Sequence, residues 1–277
     1  MNMKIVVDSS ANLPALEGVP FASVPLKIVN DQREYTDDAH LDVEAMVEEL
    51  SAYKGRTGTA CPSVGEWLEA FGEAEGVFAV AITSSLSGCH NAAVQAAQVY
   101  TEQHPGRKVC CLDTLSTGPE MALIAEKLRE LIAAGLPFGE IRDKIRAYME
   151  KTHLLFFLES VDNLAKNGRV SPLIAKAVGF LGIRIVGKAS SQGTLQQLHK
   201  CRGERKGLEA MLGEMERMGF RGGKVRIAHV LCPGLGRRLR ELVEARWPGS
   251  DVMVTPAGGL CSFYAERGGL LAGFEEM

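Results

Sequence analysis

The sequence predicts an α/β protein in which helices flank a largely parallel sheet, organised as two α/β domains. Three observations predict it. Short runs rich in β-branched residues alternate with helical stretches, the pattern of strands layered against crossover helices. In the N-terminal half, three strands run straight into hydroxyl-rich loops that open helices. The length of 277 residues also favours two units of ordinary size over one.

Taken in order, Met3–Val7 reads as a first strand and Ala22–Val29 as a second. Val43–Tyr53 reads as a helix. Ser63 opens the next, because Glu66 three residues on completes a capping box. Val77–Ile82 is a strand, Gly88–Glu102 a helix and Lys108–Leu112 a strand. Helices near Pro119–Ala134 and Phe138–Lys151 follow, punctuated by Gly135 and Pro137.

Beyond Lys151 the texture changes, which places a domain boundary there, giving units 1–151 and 152–277. Leu154–Leu158 is a strand and Ser160–Ala165 a short helix. Ser171 opens an apolar helix with Pro172 at its first position, where the missing N–H has no partner to lose. Ile183–Val186 and Thr194–Lys200 read as strands, Glu204–Met218 as a helix, Lys224–Leu231 as a strand and Leu235–Arg246 as a helix. Asp251–Val254 and Leu270–Phe274 complete the strands.

Composition narrows the function. With 46% apolar and 23% charged residues and a net charge of −3, the chain has no basic surplus for nucleic acid. The opening MNMKIVVDSS lacks the cleavage site of a signal peptide. The most apolar segment, Leu173–Val186, is interrupted by Lys176 and Arg184 and is too short to span a bilayer. These features point to the cytoplasm. The seven cysteines include no CxxC and read as reduced thiols, and the six histidines show no paired metal spacing, so no metal or cofactor is expected.

The three hydroxyl-rich loops are Asp8-Ser9-Ser10, Thr83-Ser84-Ser85-Leu86-Ser87-Gly88 and Asp113-Thr114-Leu115-Ser116-Thr117-Gly118. In a parallel sheet they share the carboxyl edge, where open α/β sheets bind ligands. Helix N-termini there suit an anion, although Ser, Thr and Asp also serve as ordinary N-caps. Loop 83–88 offers more hydroxyls than one cap needs. Its single glycine and lack of lysine fit one carboxylate or phosphate better than a polyphosphate. The P-loop spacing at Gly182–Lys188 fails, since its interior is a strand and Ala189 replaces the metal-binding hydroxyl. A serine hydrolase acting on acyl esters through Ser85 or Ser87 is an alternative, without the usual Gly-x-Ser-x-Gly elbow. A sensor of another small carboxylate ligand is a second alternative.

Several segments together resemble the DegV family over essentially the whole chain. They are the Asp-Ser strand end Lys4–Pro14, Val24-Pro25-Leu26, Tyr35-Thr36-Asp37, Thr59-Ala60-Cys61-Pro62-Ser63 and Ser84-Ser85-Leu86-Ser87-Gly88. Asn163-Leu164 through Gly168-Arg169 and Arg202-Gly203 match its second-half signatures. The resemblance implies a DegV-like pair of α/β domains enclosing a long-chain fatty acid, with no catalytic residue of its own. Thr59 and Ser87 would hold the carboxylate, joined by Ser85, Tyr264 and Ser262. Tyr264 stands where many members carry a histidine, and a tyrosine still donates a hydrogen bond. The apolar helix offers Leu173, Ile174, Ala177, Val178 and Leu181 as a wall of the acyl slot. Some members present the acyl carboxylate to a separate ATP-binding fatty acid kinase subunit, and Arg169 and Arg202 would then contact that partner or the phosphate. A membrane surface would be touched transiently, with no spanning segment.

Overall fold

A computed structural model describes residues 1–170 and 183–276. In the first half lie β1 (Met3–Asp8), β2 (Phe21–Val24), β3 (Lys27–Asn30), β4 (Glu34–Thr36), α1 (Val43–Ala52) and β5 (Thr57–Ala60). They are followed by α2 (Val64–Phe71), β6 (Gly76–Ala81), α3 (Cys89–Gln103), β7 (Lys108–Asp113), α4 (Pro119–Ala133) and α5 (Phe138–Met149). A four-stranded sheet of order β2-β1-β6-β7 is parallel throughout, as the alternating pattern predicts. Its central strands β1 and β6 are buried on both faces over most of their length, so they carry near-continuous apolar runs such as Val77–Ala81. The capping box at Ser63 forms as expected, with the Ser63 hydroxyl and the Glu66 carboxylate each engaging the other's backbone N–H.

The expected strand Ala22–Val29 is two strands in two sheets. Pro25 has no N–H to give a ladder, and Leu26 donates its own N–H to Ser9 Oγ at 3.0 Å. The chain therefore leaves the parallel sheet after Val24 and re-enters as β3, the centre of a small antiparallel sheet of order β4-β3-β5. Sequence reading missed β4 and β5, which are only three and four residues long.

The second half holds β8 (Thr152–Leu158), α6 (Asp162–Lys166), β9 (Ile183–Ala189), β10 (Leu195–Arg202), α7 (Glu204–Arg217) and β11 (Lys224–His229). After them come α8 (Pro233–Arg246), β12 (Asp251–Pro256), α9 (Gly259–Ala265) and β13 (Leu270–Glu275). The strands form one sheet of order β10-β9-β8-β13-β11-β12, antiparallel except for β11 beside β12. Ile183–Ala189 is a strand within it, so the P-loop spacing is a coincidence of composition.

Alternation along β8 divides the sheet's two faces. Leu155 and Phe157 pack with Leu208, Met211 and Leu212 of α7. Leu154, Phe156 and Leu158 point the other way, toward α9 and the first-half sheets. A buried ion pair joins the halves: Arg226 of β11 grips Glu126 of α4 through Nε at 2.7 Å and Nη2 at 2.8 Å. Among the described residues, no helix is long and apolar enough to cross a membrane.

Candidate ligand-binding slot

At the carboxyl edge of the parallel sheet, buried carboxylates hold the loops in place. Asp8, completely buried, accepts hydrogen bonds from Ser10 N at 3.0 Å, Ser10 Oγ at 2.5 Å, Ile82 N at 2.6 Å and Cys89 Sγ at 3.2 Å. One side chain thus ties the end of β1 to both ends of loop 83–88. Burial raises its pKa, and the donors around it only partly offset that. On the other side, Asp113 accepts from Ser84 N and Leu115 N, each at 3.1 Å. The aspartates that open these two loops therefore brace the central loop.

Asp37 does the same for α9. Its carboxylate accepts from Gly259 N at 2.6 Å, Leu260 N at 3.0 Å and Ser9 Oγ at 2.8 Å. The first N–H groups of a helix have no partner inside it, so a carboxylate there supplies the missing acceptors and meets the favourable end of the dipole. At the other end of the helix, Asn163 Nδ2 donates to Phe263 O at 2.8 Å, and Asn163 N donates to Glu266 Oε1 at 3.0 Å. The segment Asn163–Arg169 thereby anchors α9 from the second half.

Held at both ends, α9 presents Tyr264 to β5, where the Tyr264 hydroxyl and Thr59 Oγ1 lie 2.9 Å apart. Both line a cavity of about 110 Å³, on the measure by which a single water needs roughly 10–15 Å³. Ser87 lines it too, its Oγ accepting from Cys89 N at 3.3 Å. The remaining wall is mainly apolar, with Leu26, Ile82, Leu86, Phe156, Leu164 and Leu260 among its residues. Thr83, Ser116 and Thr117 add hydroxyls, and Arg169 adds a guanidinium. The Cys261 thiol on the wall is pushed up to about 12 by burial and stays protonated.

The structure brings Thr59, Ser87, Tyr264 and Arg169 to one cavity and leaves other expected residues outside it. Ser262 is buried in the wrong direction: its hydroxyl donates to Ala257 O at 3.2 Å, back along the chain. Ser85 clasps a different element, donating to Gln192 O at 2.5 Å in the turn between β9 and β10. Arg202 is exposed at the end of β10, away from the lining. Leu173, Ile174, Ala177, Val178 and Leu181 lie outside the described residues. Sequence reasoning missed Ser116 and Thr117, because their loop was already explained by capping. It also gave Asp37 no role beyond a family signature. Among the described residues, neither Ser85 nor Ser87 hydrogen-bonds a histidine ring, so the nucleophile–base pair of a serine hydrolase is not assembled.

A second, larger cavity of about 760 Å³ adjoins the slot, lined by Glu120, Thr152, His153, Arg146 and Lys188 among others. Glu120 is 5% exposed and accepts from Thr152 Oγ1 at 2.8 Å. Burial raises its pKa from 4.5 to about 7, and the Ser116 and Thr152 hydroxyls only partly counter it. The folded chain thus favours the neutral carboxyl. The stability this confers is complete below pH 4.5 and is lost as pH rises through about 7. Glu120→Gln, which cannot ionise, is expected to become more stable than the native chain between pH 5 and pH 8. The difference should reach on the order of 3 kcal/mol. Urea denaturation at the two pH values checks it, and a difference that stays constant with pH would contradict the assignment.

An α/β scaffold whose central loops are locked by buried carboxylates, around an apolar slot ending in neutral hydroxyls, defines a small-molecule-binding protein. The slot suits an apolar ligand with one polar head. The model of the DegV family of uncharacterised proteins matches residues 2–274, and the chain belongs to that family. A DegV domain-containing protein of Streptococcus pneumoniae is 45% identical over 280 residues, covering 99% of each chain. Among solved structures, the Streptococcus pneumoniae fatty acid kinase (Fak) B3 protein loaded with linoleic acid is 44% identical, with a TM-score of 0.98 and full coverage of both chains. A DegV family protein from Eubacterium eligens loaded with heptadecanoic acid is also 44% identical, with a TM-score of 0.97 over 99% of this chain and 100% of its own.

Proposed function

We propose that this chain binds a long-chain fatty acid in the slot, with its carboxylate at Thr59, Tyr264 and Ser87, and presents that head to a separate ATP-binding kinase subunit. The observation that carries the reading is the hydroxyl pair Thr59–Tyr264, 2.9 Å apart, beside Ser87 at a cavity otherwise walled mainly by apolar side chains. Each buried methylene contributes about 0.8 kcal/mol, so a long chain supplies most of the binding energy. The head group fixes orientation, because a carboxylate removed from water without donors would be costly.

Arg169 lines the same slot and is the nearer candidate for contact with a phosphate or partner; Arg202 would serve an exposed docking surface. The chain performs no chemistry in this scheme and needs no cofactor of its own. A cytoplasmic location and a division of labour between residues 1–151 and 152–277 belong to the same proposal. The fatty acids carried by the Streptococcus and Eubacterium relatives support it.

Protein purified from cells should release fatty acid on denaturation, detected by mass spectrometry of the extract. Protein that is lipid-free as isolated, and that takes up no added fatty acid, would overturn the reading. Addition of the ATP-binding subunit of a fatty acid kinase with ATP should then yield acyl phosphate, with Arg169→Ala lowering the yield.

A further inference from the structure

β8 runs along the slot like a ruler. Its alternate residues Leu154, Phe156 and Leu158 all line the cavity, spanning roughly 13 Å at about 3.3 Å per residue. The two ends of that span differ. Next to Leu158 and α6 lie Leu164, Arg169, Tyr264 and Ala265, the end that carries the hydroxyl pair. At the Leu154 end, the strand continues to His153 and Thr152, which line the second, polar cavity. The two cavities share Leu115, Leu154 and Ala189 in their linings. Leu154 and Ala189 are cross-strand neighbours, one step along the register that pairs Leu155 with Lys188. Leu115 completes the partition from the loop after β7.

Leu115 is an unusual residue to find there. Its φ is 52°, a left-handed conformation that costs a leucine energy and a glycine nothing. The residue is 37% exposed, so it fills no core that would reward the strain. Its backbone is held from two sides. Asp113 accepts its N–H at 3.1 Å, and Gly193, at the tip of the β9–β10 turn, sits so close that a Cβ there would lie 3.1 Å from Leu115 Cα and 2.1 Å from Thr83 Oγ1. The Thr83 hydroxyl also donates to Gly193 O at 2.9 Å. The loop and the turn thus hold a large apolar side chain between a mainly apolar cavity and one lined by several charged residues.

We infer that Leu115, Leu154 and Ala189 form the end wall of the acyl slot and set the longest chain it accepts, with Leu115 as the chief specificity-determining residue. The inference rests on the fatty-acid reading above. A tail that stays short of the partition gains affinity with every methylene it buries, about fourfold each. A tail that reaches it gains nothing more, because the wall side chains occupy the space that the next methylene would need.

The experiment compares the affinity of the delipidated protein for saturated acids from lauric to lignoceric, in the native chain and in two variants. Leu115→Gly removes the side chain at a backbone position that suits glycine, so it should fold at least as well as the native chain, as a thermal melt will show. Ala189→Leu thickens the same wall. The native chain should climb about fourfold per methylene and then level off. Leu115→Gly should carry the climb to longer acids, and Ala189→Leu should end it earlier. Identical plateaus in all three proteins would overturn the partition and leave the fatty-acid reading standing. A native chain that takes up no acid of any length would overturn both.

Discussion

Thr59→Val combined with Ser87→Ala is expected to weaken fatty-acid binding by two to four powers of ten. A hydrogen bond to a charged group contributes about 1.5–3 kcal/mol, and each 1.4 kcal/mol is about tenfold in affinity. The two substitutions remove two neutral donors from the head-group end of the slot and leave its apolar wall untouched. Val is close to Thr in shape, and Ser87 is only partly buried, so the fold should persist. Because the Thr59 hydroxyl also pairs with Tyr264, the two losses need not add, and the single variants should be measured beside the double. Calorimetric titration of delipidated protein with oleate gives the answer. Wild-type affinity in the double variant would place the carboxylate elsewhere.

Arg226→Met is expected to cost about 3–5 kcal/mol of folding stability, the usual penalty for stripping a buried charge of its partner. The substitution leaves the Glu126 carboxylate on α4, 8% exposed as a residue, with Lys224 Nζ at 3.9 Å as its remaining ion-pair partner among the described residues. Arg226 also reaches Asp251 Oδ2 at 2.9 Å, but Asp251 is exposed and can turn to water. Replacing both partners, as in Arg226→Met with Glu126→Leu, should recover most of the loss, since no buried charge then remains. Guanidinium denaturation of the two single variants and the double closes the cycle. A double variant as unstable as Arg226→Met would mean that packing between α4 and β11, and not the charge, carries the effect.

Elements specified by short-range rules are legible in the amino-acid sequence. The strand–loop–helix units at loop 83–88 and Asp113 follow from apolar runs, caps and turn residues that lie within a few positions of one another, whereas the loop after Asp8 forms a three-residue 3-10 turn in place of the expected helix. The Ser63–Glu66 box and Pro119 at the start of α4 are of the same kind. Elements that depend on partners far along the chain are not legible there. Gly258-Gly259 argues locally against a helix, yet α9 forms because Asp37, 222 residues earlier, accepts its first N–H. The break of Ala22–Val29 requires Ser9 to claim the Leu26 N–H.

The site divides along the same line. Composition and motif order determined that hydroxyls crowd the edge of a parallel sheet, and family signatures singled out Thr59, Ser87 and Arg169. Only tertiary structure decided that Thr59 meets Tyr264 across 205 residues, that Ser85 and Ser262 spend their hydroxyls on backbone carbonyls, and that Leu115 stands between two cavities. A side chain's local preference is written in its neighbours in sequence. Which way it faces, and what it meets there, is settled by sheet register and burial, which bring together residues that no local pattern connects.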